Sequence, residues 1–256
     1  MTRTPDCHFA AEARTNGTKM YVFSPDFSQV AKYADTWISL NAGQDGAWWM
    51  AVNHVLLKEF HHDRQVPYFT EYAKQFTDAP FLVELVEKDG IHAPGQLLRA
   101  GRLARYRDEE NGGWKFLVWD ANADAPRMPK GSVGHRWQGR KGQWNLKLED
   151  GLDDSPLDPV LTSLGQGQDT LVELDDFAAG CRRQRGVPAR RLELEDGSSV
   201  LVATVHDLLM AQYGGPRGLS GDYPVDYDDA DAPYTPAWSE KYTGMARKDL
   251  IQFARE

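Results

Sequence analysis

Apolar residues between positions 19 and 60 follow two different spacings. Residues 20–23 and 37–40 are short runs of β-forming side chains that end at turn residues, which is typical of buried strands. Within residues 27–34 and 45–60, apolar positions recur every three to four residues, as they do on one face of a helix. The pattern predicts strand, helix, strand, helix, which is the unit of a parallel sheet covered by helices.

Each predicted strand is followed by a loop that carries one carboxylate. Asp26 lies in the loop Ser24-Pro25-Asp26, and Asp45 lies in the loop Gly43-Gln44-Asp45. In open α/β sheets, ligands bind outside the carboxyl ends of the strands. A carboxylate there can accept hydrogen bonds from a ribose hydroxyl pair or from the N–H edge of guanine. The alternative is that both aspartates only cap helices or stabilise their first turns.

The pattern after residue 60 predicts a mixed fold with an interruption. Residues 66–80 and 96–105 have helical spacing, and residues 81–85 have the pattern of a strand. Residues 108–188 are dense in Gly, Asp and Pro with only short strands, which predicts an irregular insertion without a core of its own.

The last part of the chain is predicted to return to the first. Residues 190–203 form a predicted hairpin that turns at Asp196-Gly197. Helices then begin at Thr204, Pro236 and Ala246. The predicted domains are an α/β part over 1–107, the insertion over 108–188, and a hairpin with helices over 189–256 that rejoins the α/β part.

Composition and charge exclude several classes of function. Of the 256 residues, 41% are hydrophobic and 26% are charged, which is typical of a soluble globular protein. The net charge of −9 argues against a nucleic-acid-binding surface, which would be basic.

Cys7 and Cys181 are far apart and form neither a cluster motif nor a disulfide framework. No segment approaches the length of a transmembrane helix, and the first residues lack the apolar stretch of a signal peptide.

A group of histidines near residue 60 suggests a metal site that its spacing does not support. His54 and His61 lie about two helical turns apart, or roughly 10 Å along the axis, so they cannot hold one ion together. The pair of histidines four residues apart that is typical of zinc proteases is absent. We therefore interpret His54, His61, His62 and Asp63 as residues near a helix end rather than as ligands.

Several collinear segments resemble one family of enzymes. The chain is similar to part of the catalytic α subunit of membrane-bound respiratory nitrate reductases, in the dimethyl sulfoxide reductase family of molybdenum enzymes. The related nitrite oxidoreductases share the same pattern. The resemblance rests on TRTPDCHF at 2–9, GTKMYVFSPDFSQVAKYADTW at 17–37, AGQDGAWWMAVNHVLLKEFHHD at 42–63, YFTEYAKQFTDAPFLV at 68–83, GSVGHRW at 131–137, KGQWNL at 141–146 and YTPAWSEKYTGMARKDLIQFARE at 234–256.

The resemblance implies a fold and a cofactor. The fold would be the parallel-sheet, Rossmann-like part of a molybdopterin-binding domain. The cofactor would be molybdenum bound to two molybdopterin guanine dinucleotides, held here by Ser24, Pro25, Asp26, Gly43, Gln44 and Asp45. The family usually has Thr where this chain has Gln44, so a hydroxyl contact at that position is in doubt. The ligands of the metal and of a 4Fe–4S cluster lie outside this sequence, so no catalytic or metal-binding residue is predicted in it.

The resemblance also implies partners and a location. The partners would be an iron–sulfur β subunit and a membrane-anchoring haem γ subunit. The complex would lie at the cytoplasmic face of the membrane. The substrate would be nitrate, or nitrite in the reverse reaction. Trp137 and Trp144 flank a basic loop in the insertion, and such a patch can bind an anion. We interpret it instead as a hairpin whose rings pack on a neighbouring segment, with packing against a partner subunit as the second interpretation. Two other functions stay open, namely a nucleotide-binding module without redox chemistry and a purely structural domain.

Overall fold

The computed structural model describes residues 4–131, 146–176 and 181–256. Two compact units divide the chain, one formed by Met1–Leu56 with Val225–Glu256 and the other by Leu57–Pro224. The helices are α1 (Thr4–Thr15), α2 (Asp45–Leu56), α3 (Pro67–Phe76), α4 (Val205–Gln212), α5 (Pro236–Thr243) and α6 (Arg247–Arg255). The strands are β1 (Tyr21–Phe23), β2 (Thr36–Ile38), β3 (Leu82–Lys88), β4 (Ile91–Leu97), β5 (Val118–Asp120), β6 (Ala125–Arg127), β7 (Pro129–Lys130), β8 (Lys147–Asp150), β9 (Gln168–Asp176), β10 (Cys181–Glu193) and β11 (Ser199–Thr204).

The first unit is built on a pair of parallel strands. β1 pairs with β2 in the register Tyr21 with Thr36 and Phe23 with Ile38, which confirms the predicted parallel pairing. Helix α2 packs on this pair and on α6. The shared core consists of Ile38, Leu40, Trp48, Ala51, Val52, Val55, Leu250 and Ala254.

The helix predicted over residues 27–34 is wrong. The structure has turns there and a single 3₁₀ turn at Ala31–Tyr33. Of the predicted apolar face only Ala31 is buried, whereas Phe27 is exposed and packs edge-to-face on Trp37, with ring centroids 5.2 Å apart. So short a segment needs a buried face to stabilise a helix, and this one lacks it.

The second unit contains a closed five-stranded barrel. Its strand order is β10, β11, β3, β4 and β9. Neighbours pair antiparallel except β4 and β9, which are parallel and meet at His92 and Val172. Strands from all three predicted domains therefore join in one sheet, and their pairing does not follow the predicted divisions at residues 107 and 188.

The helix predicted over residues 96–105 is also wrong. The segment completes β4 and continues as 3₁₀ turns at Ala100–Arg102 and Ala104–Tyr106. Leu98, Ala100 and Leu103 enter the core cluster that also holds Leu82. Their spacing fits both a helix and an irregular segment that packs along the barrel. The N–H of Leu98 donates to the Leu82 carbonyl at 2.8 Å.

The basic loop with Trp137 and Trp144 lies outside the described residues. No helix among those described has the length and apolar character to cross a membrane.

Local signals near residue 200 are confirmed. β10 and β11 form the predicted hairpin, with Glu193 opposite Ser199. Thr204 is the N-cap of α4, where its Oγ1 accepts a hydrogen bond from the N–H of Asp207 at 3.0 Å. The same hydroxyl donates to the Leu161 carbonyl at 2.6 Å and is fully buried. One side chain thus joins the end of the barrel, a helix and a loop.

Replacing Thr204 with Ala should therefore destabilise the second unit by about 2 kcal/mol. The substitution removes the helix cap, at a cost of about 1 kcal/mol. It also leaves the buried Leu161 carbonyl without its donor, at a cost of about 1 kcal/mol or more. Urea denaturation measures the change. Thr204→Ser keeps the hydroxyl and is the matched control, so equal losses from both variants would contradict the assigned role of the oxygen.

Candidate functional site

Both candidate loops leave the same edge of the parallel strand pair. Because β1 and β2 run in one direction, the segments that follow Phe23 and Ile38 begin side by side. The N–H of Ser24 donates to the Ile38 carbonyl at 3.2 Å, and the Ser39 hydroxyl donates to the Pro25 carbonyl at 3.2 Å. The first loop is thereby tied to the start of the second connection.

The first loop is held by its serine and leaves its aspartate exposed. The Ser24 hydroxyl donates to the Asp26 carbonyl at 2.6 Å, and the indole N–H of Trp37 donates to the Ser24 carbonyl at 3.1 Å. No helix begins at Asp26, so the capping interpretation is wrong for this residue. Within the described parts of the chain its carboxylate has no hydrogen-bond or ion-pair partner.

The second loop is anchored from the other side by the end of α5. The N–H of Asn41 donates to the Thr243 carbonyl, and its side-chain amide donates to the Tyr242 carbonyl, both at 2.9 Å. Gly43 has a φ of 78°, in the left-handed region that favours glycine. Gln44 then occupies the N-cap position of α2, because its carbonyl accepts from the N–H of Ala47 at 3.1 Å.

Asp45 is the first residue of α2 and is exposed. Its carboxylate accepts no hydrogen bond from any residue that the structure describes, so it does not cap the helix by bonding. The structural interpretation that remains is that the negative charge of Asp45 stabilises the positive end of the helix dipole. An exposed carboxylate beside a helix N-terminus and a glycine with open space around it can also receive the polar edge of a ligand.

The histidines near residue 60 do not form a metal centre in the described residues, which contain no group of three or more His, Cys, Asp or Glu that could hold an ion. His54 is buried in the first unit and meets the ring of Tyr227 edge-on, with centroids 5.6 Å apart. His61 belongs to the second unit, in a π-helical segment at Leu57–Asp63.

Sequence reasoning missed one polar cluster in the second unit. His61, Thr162, His206, Asp207 and Arg217 come together there from four separate parts of the chain. No motif or periodicity marks them. The cluster can be recognised only in the structure, where Arg217 forms a buried ion pair with Asp207.

Known proteins resemble the chain over its entire length. No family model matches it. It is 41% identical to the respiratory nitrate reductase 1 alpha chain of Escherichia coli and 39% identical to the nitrate reductase alpha chain of Bacillus subtilis. It is 37% identical to the nitrate reductase alpha subunit of Mycobacterium tuberculosis. Each match covers 100% of this chain and 21% of the relative.

The chain is a homologue of one segment of the nitrate reductase alpha chains. This confirms the family resemblance that the sequence motifs predicted. The chain spans about a fifth of the length of the relatives it matches. The cofactor-binding role of Ser24, Pro25, Asp26, Gly43, Gln44 and Asp45 stays a prediction.

The conformation of the second loop can be tested by paired glycine substitutions. Gly43→Ala should destabilise the first unit by about 1 kcal/mol, because an L-residue is strained at this φ. Gly46→Ala is the matched control, since Gly46 is the second residue of α2. The position of a Cβ is equally open there, and Gly46 has no left-handed φ. There alanine should stabilise the helix by about 0.5 kcal/mol.

Denaturation midpoints of the two variants provide the measurement. Equal effects of the same sign would show that Gly43 does not need its left-handed conformation.

Proposed function

We propose that this chain is part of the molybdenum-dependent catalytic subunit of a respiratory nitrate reductase. The whole enzyme would reduce nitrate to nitrite with electrons that come from quinol through iron–sulfur clusters. The observation that carries the proposal is the 37–41% identity, across the whole chain, to nitrate reductase alpha chains from three distant bacteria.

The share of this chain in that function would be to hold part of a molybdopterin guanine dinucleotide. The metal centre supplies the oxygen-atom transfer when it is bound. The two exposed loops fit such a group because each offers a carboxylate that no neighbour in the described chain engages. Asp45 would accept the N–H donors of the guanine edge, which are charge-assisted bonds. Asp26 would accept from ribose hydroxyls.

The other parts of the binding site have simpler roles. Gly43 leaves room for the ligand to approach the backbone, since nothing lies within 4 Å of the position its Cβ would take. Ser24 and Pro25 set the shape of the first loop through the serine and Pro25 carbonyl bonds already described. Gln44 presents an amide where the family usually has a hydroxyl.

The partners and location follow from the same proposal. The subunit would assemble with an iron–sulfur β subunit and a haem-bearing γ subunit that anchors the complex at the cytoplasmic face of the membrane. The ligands of the molybdenum and of the subunit's own 4Fe–4S cluster would come from outside these 256 residues. Nitrite oxidation by the same kind of subunit is the reverse reaction of the same chemistry.

Asp45 provides the main test. In a full-length subunit that contains this chain, Asp45→Ala should lower cofactor occupancy roughly tenfold under limiting cofactor, equivalent to about 1.4 kcal/mol. Asp45→Asn should have a similar effect, because an amide of the same size cannot accept both guanine donors. Molybdenum and guanine contents after gel filtration are the measurements.

Asp249→Asn is the matched control for that test. Asp249 is also an exposed acid in the first turn of a helix, α6, but it belongs to neither of the loops that follow β1 and β2. It should retain full cofactor content. If Asp45→Asn also retains full content, Asp45 acts only on the helix and the site assignment fails.

The 256-residue chain alone should neither reduce nitrate nor retain molybdenum, because the proposed metal and cluster ligands are not part of it. Nitrite formation with reduced viologen as electron donor tests the first expectation, and metal analysis of the purified chain tests the second. Measurable turnover would place the chemistry within these residues and contradict the proposal.

A further inference from the structure

An exposed pair of aromatic rings lies beside the first of the two loops. Phe27 follows Asp26 directly in the chain and is 66% exposed, although phenylalanine is among the residues that are most often buried. Its ring meets the ring of Trp37 with centroids 5.2 Å apart and planes at 89°. In such a perpendicular pair the edge of one ring meets a face of the other. Phe27 therefore keeps at least one face of its ring free of Trp37.

Hydrogen bonds fix this aromatic pair to the loop. The indole N–H of Trp37 donates to the Ser24 carbonyl at 3.1 Å and lies 3.2 Å from the Ser24 hydroxyl oxygen. That hydroxyl donates to the Asp26 carbonyl at 2.6 Å. Trp37 itself belongs to β2, where it pairs with Val22. The ring on which Phe27 packs is thus held in a constant position relative to the loop that carries Asp26, so the aromatic face is organised before a ligand binds.

We infer that the free face of Phe27 stacks on the base of a guanine nucleotide. The inference rests on the proposed function, in which Asp26 holds the ribose and Asp45 holds the N–H edge of the base. Phe27 adds a contact to the flat face of the same base. Aromatic side chains bind bases in this way whatever their hydrogen-bonding pattern, because every base has a π face. Phe27 would therefore supply affinity, and Asp45 would supply the preference for guanine.

A protein surface is the less favoured occupant of this position. Exposed apolar rings also form contacts between proteins. An apolar surface packed on Phe27 would also remove water from the adjacent Asp26, whose carboxylate has no partner among the residues that the structure describes. Burying an unpaired carboxylate is costly. A nucleotide avoids this cost, because its ribose hydroxyls can donate to Asp26 while its base covers the ring.

The experiment follows the ring-proton NMR signals of Phe27 in the 256-residue protein during titrations with guanosine monophosphate (GMP), adenosine monophosphate (AMP) and ribose 5-phosphate. A stacked base shifts these signals upfield through its ring current. We expect saturable upfield shifts with GMP and AMP and none with ribose 5-phosphate. Phe9, which is 69% exposed and lies on α1, is the internal reference and should not shift. No saturable shift of Phe27 with GMP, or an equal shift with ribose 5-phosphate, would overturn the inference.

Variants at position 27 test the role of the ring. Phe27→Leu should weaken the binding of both GMP and AMP roughly fivefold or more, which corresponds to about 1 kcal/mol. Phe27→Tyr retains an aromatic face and should bind as the wild type does. Phe9→Leu makes the same change at an equally exposed position and is the matched control. Unchanged affinity in Phe27→Leu, or equal losses in Phe27→Leu and Phe27→Tyr, would show that the aromatic face does not bind the base.

Asp45→Asn separates this inference from the proposed function. In this variant the preference for GMP over AMP should disappear, whereas the shift of Phe27 with AMP should remain. If the preference disappears but Phe27 does not shift in any titration, the stacking contact is wrong and the guanine contact of Asp45 stands. If Phe27 shifts but the variant keeps its preference for GMP, the stacking contact stands and the assignment of Asp45 fails.

Discussion

The packing of α6 against β1 and α2 is the interaction on which the first unit depends. Two strands of three residues each cannot form a stable sheet by themselves. The ring of Phe253 supplies what they lack, since it meets Tyr21, Phe23 and Trp48 at centroid distances of 5.0 to 6.0 Å. Residues more than 200 positions apart in sequence must therefore meet before the strand edge and its two loops exist.

Local patterns were sufficient where neighbouring residues determine the structure. The hairpin at Asp196-Gly197 and the threonine cap of α4 each rest on contacts within about ten residues. The barrel could not be predicted, because it closes through β4 and β9, whose partners His92 and Val172 are 80 positions apart. The apolar spacing of 96–105 was misleading for the same reason, since those side chains face a core that the local sequence does not reveal.

The same distinction applies to function. The two aspartates could be singled out from sequence because each lies in a loop that directly follows a short apolar run. Whether a helix follows each aspartate could not be found from sequence. A helix begins at Asp45 but not at Asp26, because residues 27–34 lack a surface to pack against. The cluster around Arg217 is assembled from segments near 61, 162, 206 and 217, and none of these segments has a distinctive composition.

Strand β10 has a consequence for how the protein can change during evolution. Its residues 181–189 pair with β9 and residues 190–193 pair with β11, in one uninterrupted run of thirteen residues. Because side chains alternate between the two faces of a sheet, inserting or deleting one residue in such a strand exchanges inside for outside along everything beyond it. Changes in length are thus excluded from β10 itself. They are tolerable at the turn that follows Glu193, where Asp196 and Gly197 already project from the barrel into solvent.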